Sequence, residues 1–193
     1  MLPSTSPQAF LSIAVLVPCC NEEKTIAAVV RDFRKVLPGA TIYVYDNNST
    51  DDTADLARAA GAVVRRETLQ GKGHVVRRMF ADIDADIYVM VDGDGTYAAA
   101  DATRLIAKLQ EEHLDMVVAR RVAADQTAAW RRGHVLGNHL MTRFVARLFG
   151  ERFSDIFSGY RAFSRRFVKS FPALAGGFEI ETELTVHALE LRM

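Results

Sequence analysis

Short apolar runs alternate along the chain with longer segments in which apolar residues recur every three or four positions. The short runs are rich in β-branched residues, which is typical of buried strands. They lie at Ile13–Val17, Thr41–Tyr45, Ala62–Val64, Asp86–Val91 and Met116–Ala119. The longer segments have the spacing of amphipathic helices and lie at Glu22–Val36, Asp51–Ala60, Lys72–Ala81 and Ala99–Glu112. This alternation predicts an α/β fold with a mainly parallel sheet flanked by helices.

The alternation stops after Ala119. An Arg- and Ala-rich stretch follows, and then come a predicted helix near Gly133–Phe149, a short strand around Ser158–Ser164 and a final helix near Glu179–Leu191. The first ten residues contain two prolines and three Ser or Thr, which predicts a flexible lead-in. The final helix reaches Met193 without a capping glycine, which suggests that the chain is truncated there and continues in the full protein.

We therefore expect a single domain over residues 11–193, divided into a sheet-forming half over 11–119 and a second half over 120–193. The 193 residues are 49% hydrophobic and 25% charged, which is sufficient for a complete core. The formal net charge is zero, so no overall field favours nucleic acid as a partner. Cys19 and Cys20 are adjacent and offer no disulfide framework, which favours a cytoplasmic location.

The most informative polar cluster is Asp92-Gly93-Asp94, directly after the strand predicted at Asp86–Val91. Ligands of open parallel sheets bind at the carboxyl ends of the strands, so two carboxylates there predict a site for a hard divalent cation. Strand alternation would direct both side chains to the same face. The alternative interpretation is an ordinary solvated Asp-Gly turn.

Polar residues follow the other predicted strands as well. Pro18-Cys-Cys-Asn-Glu22 follows the first strand, Asp46-Asn-Asn-Ser-Thr50 the second, and Gln70-Gly-Lys-Gly73 opens the helix after the third. Ser49 or Thr50 is a good helix N-cap, which is a purely structural interpretation of the second cluster. In the third cluster, Lys72 and the backbone amides at the start of the helix are suited to binding a diphosphate.

Other phosphate-handling classes fit less well. No Gly-x-Gly-x-x-Gly follows the first strand, and Gly71-Lys72 lacks the remaining residues of a P-loop. Asp92-x-Asp94-x-Thr96 matches the nucleophile motif of haloacid-dehalogenase-like phosphatases, in which Asp92 would attack phosphate, but that motif usually follows the first strand. A sugar nucleotidyltransferase would need a glycine-rich basic loop after the first strand, and a binding module without chemistry would not need Asp92, Asp94 and Lys72.

The ordered motifs resemble those of family 2 glycosyltransferases, and among them most closely the polyprenyl-phosphate sugar transferases such as dolichol-phosphate mannosyltransferase. The motifs are Pro-x-x-Asn-Glu from Pro18, Asp-Asn-Asn-Ser-Thr-Asp from Asp46, Gly-Lys-Gly from Gly71, Asp-x-Asp from Asp92 and Ser-Gly-Tyr-Arg from Ser158. The resemblance implies a GT-A fold, a nucleotide-diphosphate sugar as donor, Mg²⁺ or Mn²⁺ as cofactor and inversion by direct displacement.

The resemblance also implies roles for individual residues. The metal would be held by Asp92 and Asp94. Residues expected to contact the UDP- or GDP-linked sugar are Pro18, Cys20, Glu22, Asp46, Asn48, Lys72, Asp92 and Gly93. Three positions depart from the usual pattern: Cys20 replaces a tyrosine, Asn47 an acid and Thr96 a glutamine, so a uridine donor is at least as well supported as a guanosine donor.

On the acceptor side, the resemblance implies a polyprenyl phosphate received by arginines. The residues expected there are Arg120, Arg131, Arg132, Ser158 and Arg161, and Arg120 is also counted with the catalytic groups. An anionic phosphate needs no general base, whereas a hydroxyl acceptor would require one, with Asp155 or Glu181 as the candidate. Glu179, Glu181 and Glu183 together more simply form a solvated or pocket edge.

Contact with a membrane is a separate question. The predicted helix near Gly133–Phe149 places Leu136, Leu140, Phe144 and Leu148 on one face beside basic residues, which fits either a core helix or peripheral contact with the inner face of a membrane. No window has the roughly 18 consecutive apolar residues that a membrane span requires.

Overall fold

The computed structural model describes residues 11–119 and 158–193. Its sheet has six strands in the order β3-β2-β1-β4-β6-β5. The strands are β1 (Ile13–Cys19), β2 (Thr41–Asp46), β3 (Val63–Arg66), β4 (Ile87–Met90), β5 (Met116–Val118) and β6 (Arg161–Ser164). The helices are α1 (Ile26–Val36), α2 (Thr53–Ala59), α3 (Lys72–Asp82), α4 (Asp101–Glu111), α5 (Arg165–Ser170) and α6 (Ile180–Glu190). The predicted α/β architecture is confirmed.

The sheet lies between two apolar cores, and its central strand β1 is therefore buried on both faces. Val15 and Val17 pack with α1, α2 and α4 on one side, and Ala14 and Leu16 pack with α3, α5 and α6 on the other. The continuous apolar run of β1 is the pattern expected of a central parallel strand covered by helices on both faces.

Strands β1, β2, β3 and β4 are mutually parallel, and β6 is antiparallel to both of its neighbours, β4 and β5. The sequence predicted a strand near Ser158–Ser164 but not its insertion between β4 and β5. Since β6 is antiparallel, it begins at the edge where the parallel strands end, and Arg161 lies opposite Met90. The Ser-Gly-Tyr-Arg motif therefore enters the sheet at that edge.

Three predicted helix starts need correction. The helix predicted from Ala99 begins at Asp101. The helix predicted from Glu22 begins at Ile26, preceded by a turn in which the amides of Thr25 and Ile26 both donate to the carbonyl of Glu22. The helix predicted from Asp51 begins at Thr53, so the predicted N-cap at Ser49 or Thr50 is wrong.

Arg161 forms the polar centre of the packing between β6 and α6. Its side chain is fully buried, and its guanidinium donates to the carbonyl of Ser158, the hydroxyl of Thr185 and the carbonyl of Glu181, each at 2.9 Å. A planar group with several fixed donors can serve these three acceptors together.

We expect Arg161→Lys to lower the free energy of unfolding by about 2–4 kcal/mol, because a single ammonium cannot satisfy three separated buried acceptors. Urea unfolding followed by circular dichroism measures this change. The matched control is Arg58→Lys on α2, where the side chain is 56% exposed and a change within about 0.5 kcal/mol is expected. Equal losses in the two variants would contradict a structural role for Arg161.

Candidate active site

The polar clusters after β1, β2 and β4 meet at one edge of the sheet, as predicted. Their strands are parallel neighbours, with Cys19 opposite Asp46 and Leu16 opposite Met90 in register. β1 lies at the point where the strand order reverses, since the chain adds β2 and β3 on one side of it and β4 on the other. Such a switch point leaves a crevice at the carboxyl ends of the strands, where ligands bind.

Asp92 and Asp94 lie in the turn beyond β4, which ends at Met90. The strand alternation that was expected to align them therefore does not reach them, and they have different partners. Asp92 Oδ1 accepts from the ammonium of Lys72 at 2.5 Å, whereas Asp94 Oδ1 accepts from the amide of Thr96 at 2.9 Å. Asp94 remains exposed.

Negative charge is concentrated around these two residues. Burial raises the pKa of the Glu22 carboxyl, and the charges of Asp94 and Asp92 raise it further, against a hydrogen bond from Thr25 that lowers it. Burial also raises the pKa of the Cys19 thiol, with Glu22, Asp46 and Asp92 adding to the effect. Four carboxylates thus bear on the exits of three adjacent strands, and that arrangement attracts cations.

Lys72 is the cation that the protein itself places in this region. Its ammonium lies 2.5 Å from Asp92 Oδ1 and 2.5 Å from Glu181 Oε1, and its side chain is only 12% exposed. Burial lowers the pKa of Lys72, but the two carboxylates outweigh burial and the net pKa is raised. The lysine is therefore charged throughout the neutral range, and it links α3, the β4 exit and α6.

The structure separates the three glutamates near the last helix. Glu181 is buried and faces Lys72, Glu179 is exposed, and Glu183 accepts from the amides of Leu174 and Ala175 at 2.7 and 2.8 Å. The three glutamates therefore do not share one solvated edge, and Glu181 fits the other alternative, a pocket edge, because it borders the ion pair of Lys72 and Asp92. The sequence offered Glu181 as a general base, and nothing in its local pattern indicated an ion pair with Lys72, more than a hundred residues earlier.

The carboxylates Glu22, Asp46, Asp92 and Asp94 form what we call the acidic centre. Gly159 gives the Ser-Gly-Tyr-Arg motif its direct contact with this centre, through Asp92. A Cβ atom built on Gly159 would lie 2.2 Å from Asp92 Oδ2, so only glycine fits beside this carboxylate. Ser158 and Arg161 are fully buried, and we leave both out of the acceptor site proposed below. Sequence reasoning named these two and overlooked the glycine between them.

The first two strand exits are joined by side chains. The amide of Asn21 donates to Ser49 Oγ at 2.9 Å, and the amide of Thr50 donates to Asn21 Oδ1 at 2.8 Å. Glu22 is held in the same way, because its amide donates to Thr53 Oγ1 at 2.7 Å. Ser49 thus receives a hydrogen bond from the neighbouring loop instead of capping a helix.

The other residues expected to contact the donor line the same edge. Pro18 is buried at the end of β1, Cys20 is exposed, and Asp46 accepts from the amide of Ser49 at 3.3 Å. The side chain of Asn48 donates to the carbonyl of Thr68 at 2.9 Å.

Gly93, another residue expected on the donor side, is tied to the turn before α1. It is buried, and its carbonyl accepts from Thr25 Oγ1 at 2.7 Å, a contact that the sequence did not indicate. The roles assigned to all these residues stay predictions.

The donor set at the β4 exit suits a hard divalent cation. Carboxylate oxygens are the ligands that Mg²⁺ and Mn²⁺ prefer. In the part of the chain that the structure describes, no three His, Cys, Asp or Glu side chains are arranged to hold a metal by themselves. A cation here would thus complete its coordination with water and with phosphate oxygens of a ligand, as is common for Mg²⁺.

Several sequence predictions fall on residues outside the described ranges. These are Arg120, Arg131, Arg132, Asp155 and the helix near Gly133–Phe149. Among the helices of residues 11–119 and 158–193, none has both the length and the apolar character needed to cross a membrane.

Three curated relatives are similar in sequence. The protein RfbJ of Shigella flexneri is 54% identical over 123 residues, which are 64% of this chain and 95% of RfbJ. The glycosyltransferase AglJ of Haloferax volcanii is 41% identical over 91% of this chain, and this chain spans 57% of AglJ. A dolichyl-phosphate hexose transferase of the same organism is 28% identical over 81% of this chain and 68% of its own length.

Solved structures with the same fold include glucosyl-3-phosphoglycerate synthase of Mycobacterium tuberculosis. Its crystal structure superposes with a TM-score of 0.77 and 27% identity, over 95% of this chain and 67% of that protein. The same synthase is also known in complex with Mn²⁺, UDP-glucose and phosphoglyceric acid, again with a TM-score of 0.77. The likeness confirms the predicted GT-A fold.

The family model for glycosyl transferase family 2 matches residues 14–171, which include all three strand exits of the acidic centre. This match, the sequence relatives and the structural likeness agree with the site geometry, and they favour glycosyl transfer over the phosphatase and nucleotidyltransferase alternatives. The chain is a glycosyltransferase and belongs to glycosyl transferase family 2.

Proposed function

We propose that the protein transfers a sugar from a nucleoside-diphosphate sugar to a phosphate-bearing acceptor, and that the transfer depends on a divalent cation. The observation that carries this proposal is the crowding of carboxylates at the β4 exit, where burial and then the charges of Asp94 and Asp92 raise the pKa of Glu22. A diphosphate approaching these groups meets like charge. A divalent cation held by these carboxylates would supply the positive charge that offsets this repulsion.

Asp92 and Asp94 are the residues that would hold the cation. A cation bound there acts as a Lewis acid on the donor diphosphate. Asp92 has its orientation fixed in advance, because Lys72 binds one oxygen and Gly159 packs against the other. Asp94 is held less tightly, by the amide of Thr96. Preorganised ligands of this kind bind with little loss of side-chain entropy.

Lys72 contributes positive charge to the same region. When the bond to the anomeric carbon breaks, negative charge develops on the diphosphate, and a buried ammonium nearby stabilises that charge more strongly than an exposed one. Its pairing with Asp92 and Glu181 means that Lys72 acts mainly by holding Asp92 and by balancing the field of the site. This differs from the direct diphosphate contact expected from the sequence.

A uridine diphosphate sugar is the donor that we favour. The solved synthase binds UDP-glucose with Mn²⁺, and this chain superposes on it over 95% of its length. Cys20 stands exposed at the position where the family usually has tyrosine, and its sulfur lies 3.9 Å from the amide nitrogen of Gln70. Asp46 and Asn48 on the β2 exit are the other groups proposed to recognise the nucleoside.

A polyprenyl phosphate is the acceptor that the motifs favour, and the distant dolichyl-phosphate hexose transferase supports it. The solved synthase, in its complex with phosphoglyceric acid, supports a smaller phosphorylated acceptor instead. A phosphate oxygen is already anionic and attacks without a general base, whereas a hydroxyl of a phosphorylated acceptor must give its proton to one. Glu181 is engaged with Lys72, which disfavours it as a base for a hydroxyl acceptor. Displacement from the opposite face would invert the anomeric configuration.

Replacing Asp94 with Asn should lower kcat by at least about a hundredfold while the fold is kept, because the amide oxygen still accepts from Thr96 but carries no charge for the cation. Sugar transfer is measured as release of nucleoside diphosphate, at several Mn²⁺ and Mg²⁺ concentrations. Asp55→Asn, at a side chain that is 82% exposed on α2, is the control and should keep full activity. Undiminished turnover of the wild type in excess chelator would remove the metal from the proposal.

Arg120→Ala should raise the KM for the acceptor by about tenfold or more, because an arginine that binds phosphate through two hydrogen bonds would be lost. Calorimetry with the nucleotide sugar should show nearly unchanged donor affinity. Arg104→Ala, on the exposed face of α4, is the control for removal of an arginine. A loss of donor affinity with an unchanged acceptor KM would instead assign Arg120 to the diphosphate.

The donor and acceptor are identified by one matrix of assays. UDP- and GDP-linked sugars are each offered with a short polyprenyl phosphate, with phosphoglycerate and with a neutral alcohol acceptor. We expect metal-dependent transfer to a phosphate with a UDP-linked sugar. Efficient transfer to the neutral alcohol would contradict the phosphate acceptor and require a general base such as Asp155.

A further inference from the structure

We propose that Asn47 is a positioning residue, whose side-chain amide fixes the loop before α3 and thereby holds Lys72 against Asp92. The part of this inference that concerns catalysis rests on the proposed function, whereas the positioning of Lys72 can be tested without any substrate. Asn47 stands where the family usually has an acid.

Every hydrogen-bonding group of the Asn47 side chain is used by the protein. Nδ2 donates to the carbonyls of Glu67 and Leu69 at 2.9 and 2.8 Å, and Oδ1 accepts from the amide of Gly71 at 2.8 Å. The backbone of Asn47 is fixed as well, since its amide donates to the carbonyl of Cys19 at 2.8 Å. The residue is only 4% exposed, so these contacts are shielded from competing water.

The contact with Gly71 leads directly to Lys72. Gly71 has a φ of 130°, and a Cβ atom there would lie 2.2 Å from the carbonyl oxygen of Gly176. Its backbone is therefore held between the Asn47 side chain and the segment before α6. The next residue is Lys72, the first of α3, and its ammonium binds Asp92. A displacement of Gly71 would move the base of the Lys72 side chain.

A carboxylate of the same shape cannot replace this amide. It donates no hydrogen bond, and it would face the carbonyl oxygens of Glu67 and Leu69 with a negative charge in a buried position. Asp46 and the other acids of the strand exits would add repulsion. Since Asn47 is buried and its two N–H donors and Oδ1 are all engaged by the protein, it acts through Lys72 and is not a catalytic residue.

Asn47→Asp is the decisive variant, and the matched control is Gln110→Glu, which makes the same amide-to-acid change at an exposed position of α4. The first readout is the rate at which an amine-reactive reagent labels Lys72, and mass spectrometry measures the labelled fraction over time. We expect at least about tenfold faster labelling in Asn47→Asp, since leaving buried polar groups without partners favours opening of the loop by about that factor. Hydrogen exchange of residues 67–71 should accelerate in parallel, with the control unchanged.

The second readout is binding of UDP with Mn²⁺ by calorimetry, together with KM and kcat for the donor. We expect a dissociation constant at least about tenfold higher, and a lower kcat because Asp92 loses its fixed orientation. If Asn47→Asp fails to fold, Asn47→Ala removes the same donors without adding charge and gives the same two readouts.

Unchanged Lys72 labelling in a folded variant would overturn the inference. Faster labelling with unchanged nucleotide affinity and turnover would also overturn it, because Asn47 would then be structural only. A wild-type protein that binds no nucleotide would refute the proposed function, and with it the catalytic half of this inference, while the labelling result would still decide whether Asn47 positions Lys72.

Discussion

The buried ammonium of Lys72 between Asp92 and Glu181 is the interaction on which the site depends. Three elements that are distant in sequence supply the charges: the start of α3, the turn after β4 and the first turn of α6. Removing Lys72 would leave the buried carboxylate of Glu181 and the half-buried carboxylate of Asp92 without their cation, which is strongly destabilising. The arrangement therefore fixes the geometry of Asp92 and ties α3 and the turn after β4 to the C-terminal helix.

The part of the site that follows from strand order could be predicted from the sequence. Apolar runs that end in polar clusters identify parallel strands, and parallel neighbours place their carboxyl ends together. Asp46 and Asp92 were placed correctly at one edge for this reason. The spacing of strands and helices along the chain was sufficient for this prediction, because the rule that parallel strands end at one edge depends only on topology.

The remaining features depend on contacts between distant segments. The insertion of β6 between β4 and β5 brings Gly159 to Asp92, and no local pattern encodes that pairing. Ser49 and Thr50 both suit a helix cap by local preference, but Asn21 from another loop binds the hydroxyl of Ser49 and the backbone amide of Thr50 instead. The sequence around Arg161 suits both an exposed arginine that binds phosphate and a buried arginine that binds the protein. Only the packing of α6 against β6 shows that Arg161 is buried.

The antiparallel direction of β6 also determines where the chain can change in length and sequence without disturbing the sheet. β5 and β4 run in the same direction, and the amide of Ala119, just past β5, donates to the carbonyl of Tyr160, just before β6. The chain thus leaves the sheet and returns to it at neighbouring points on one rim. Segments of different length and sequence can be exchanged between these points without changing strand order or register. Under the proposed assignment of Arg120, Arg131 and Arg132 to the acceptor, a change of acceptor there would leave the carboxylates at the ends of β1, β2 and β4 undisturbed.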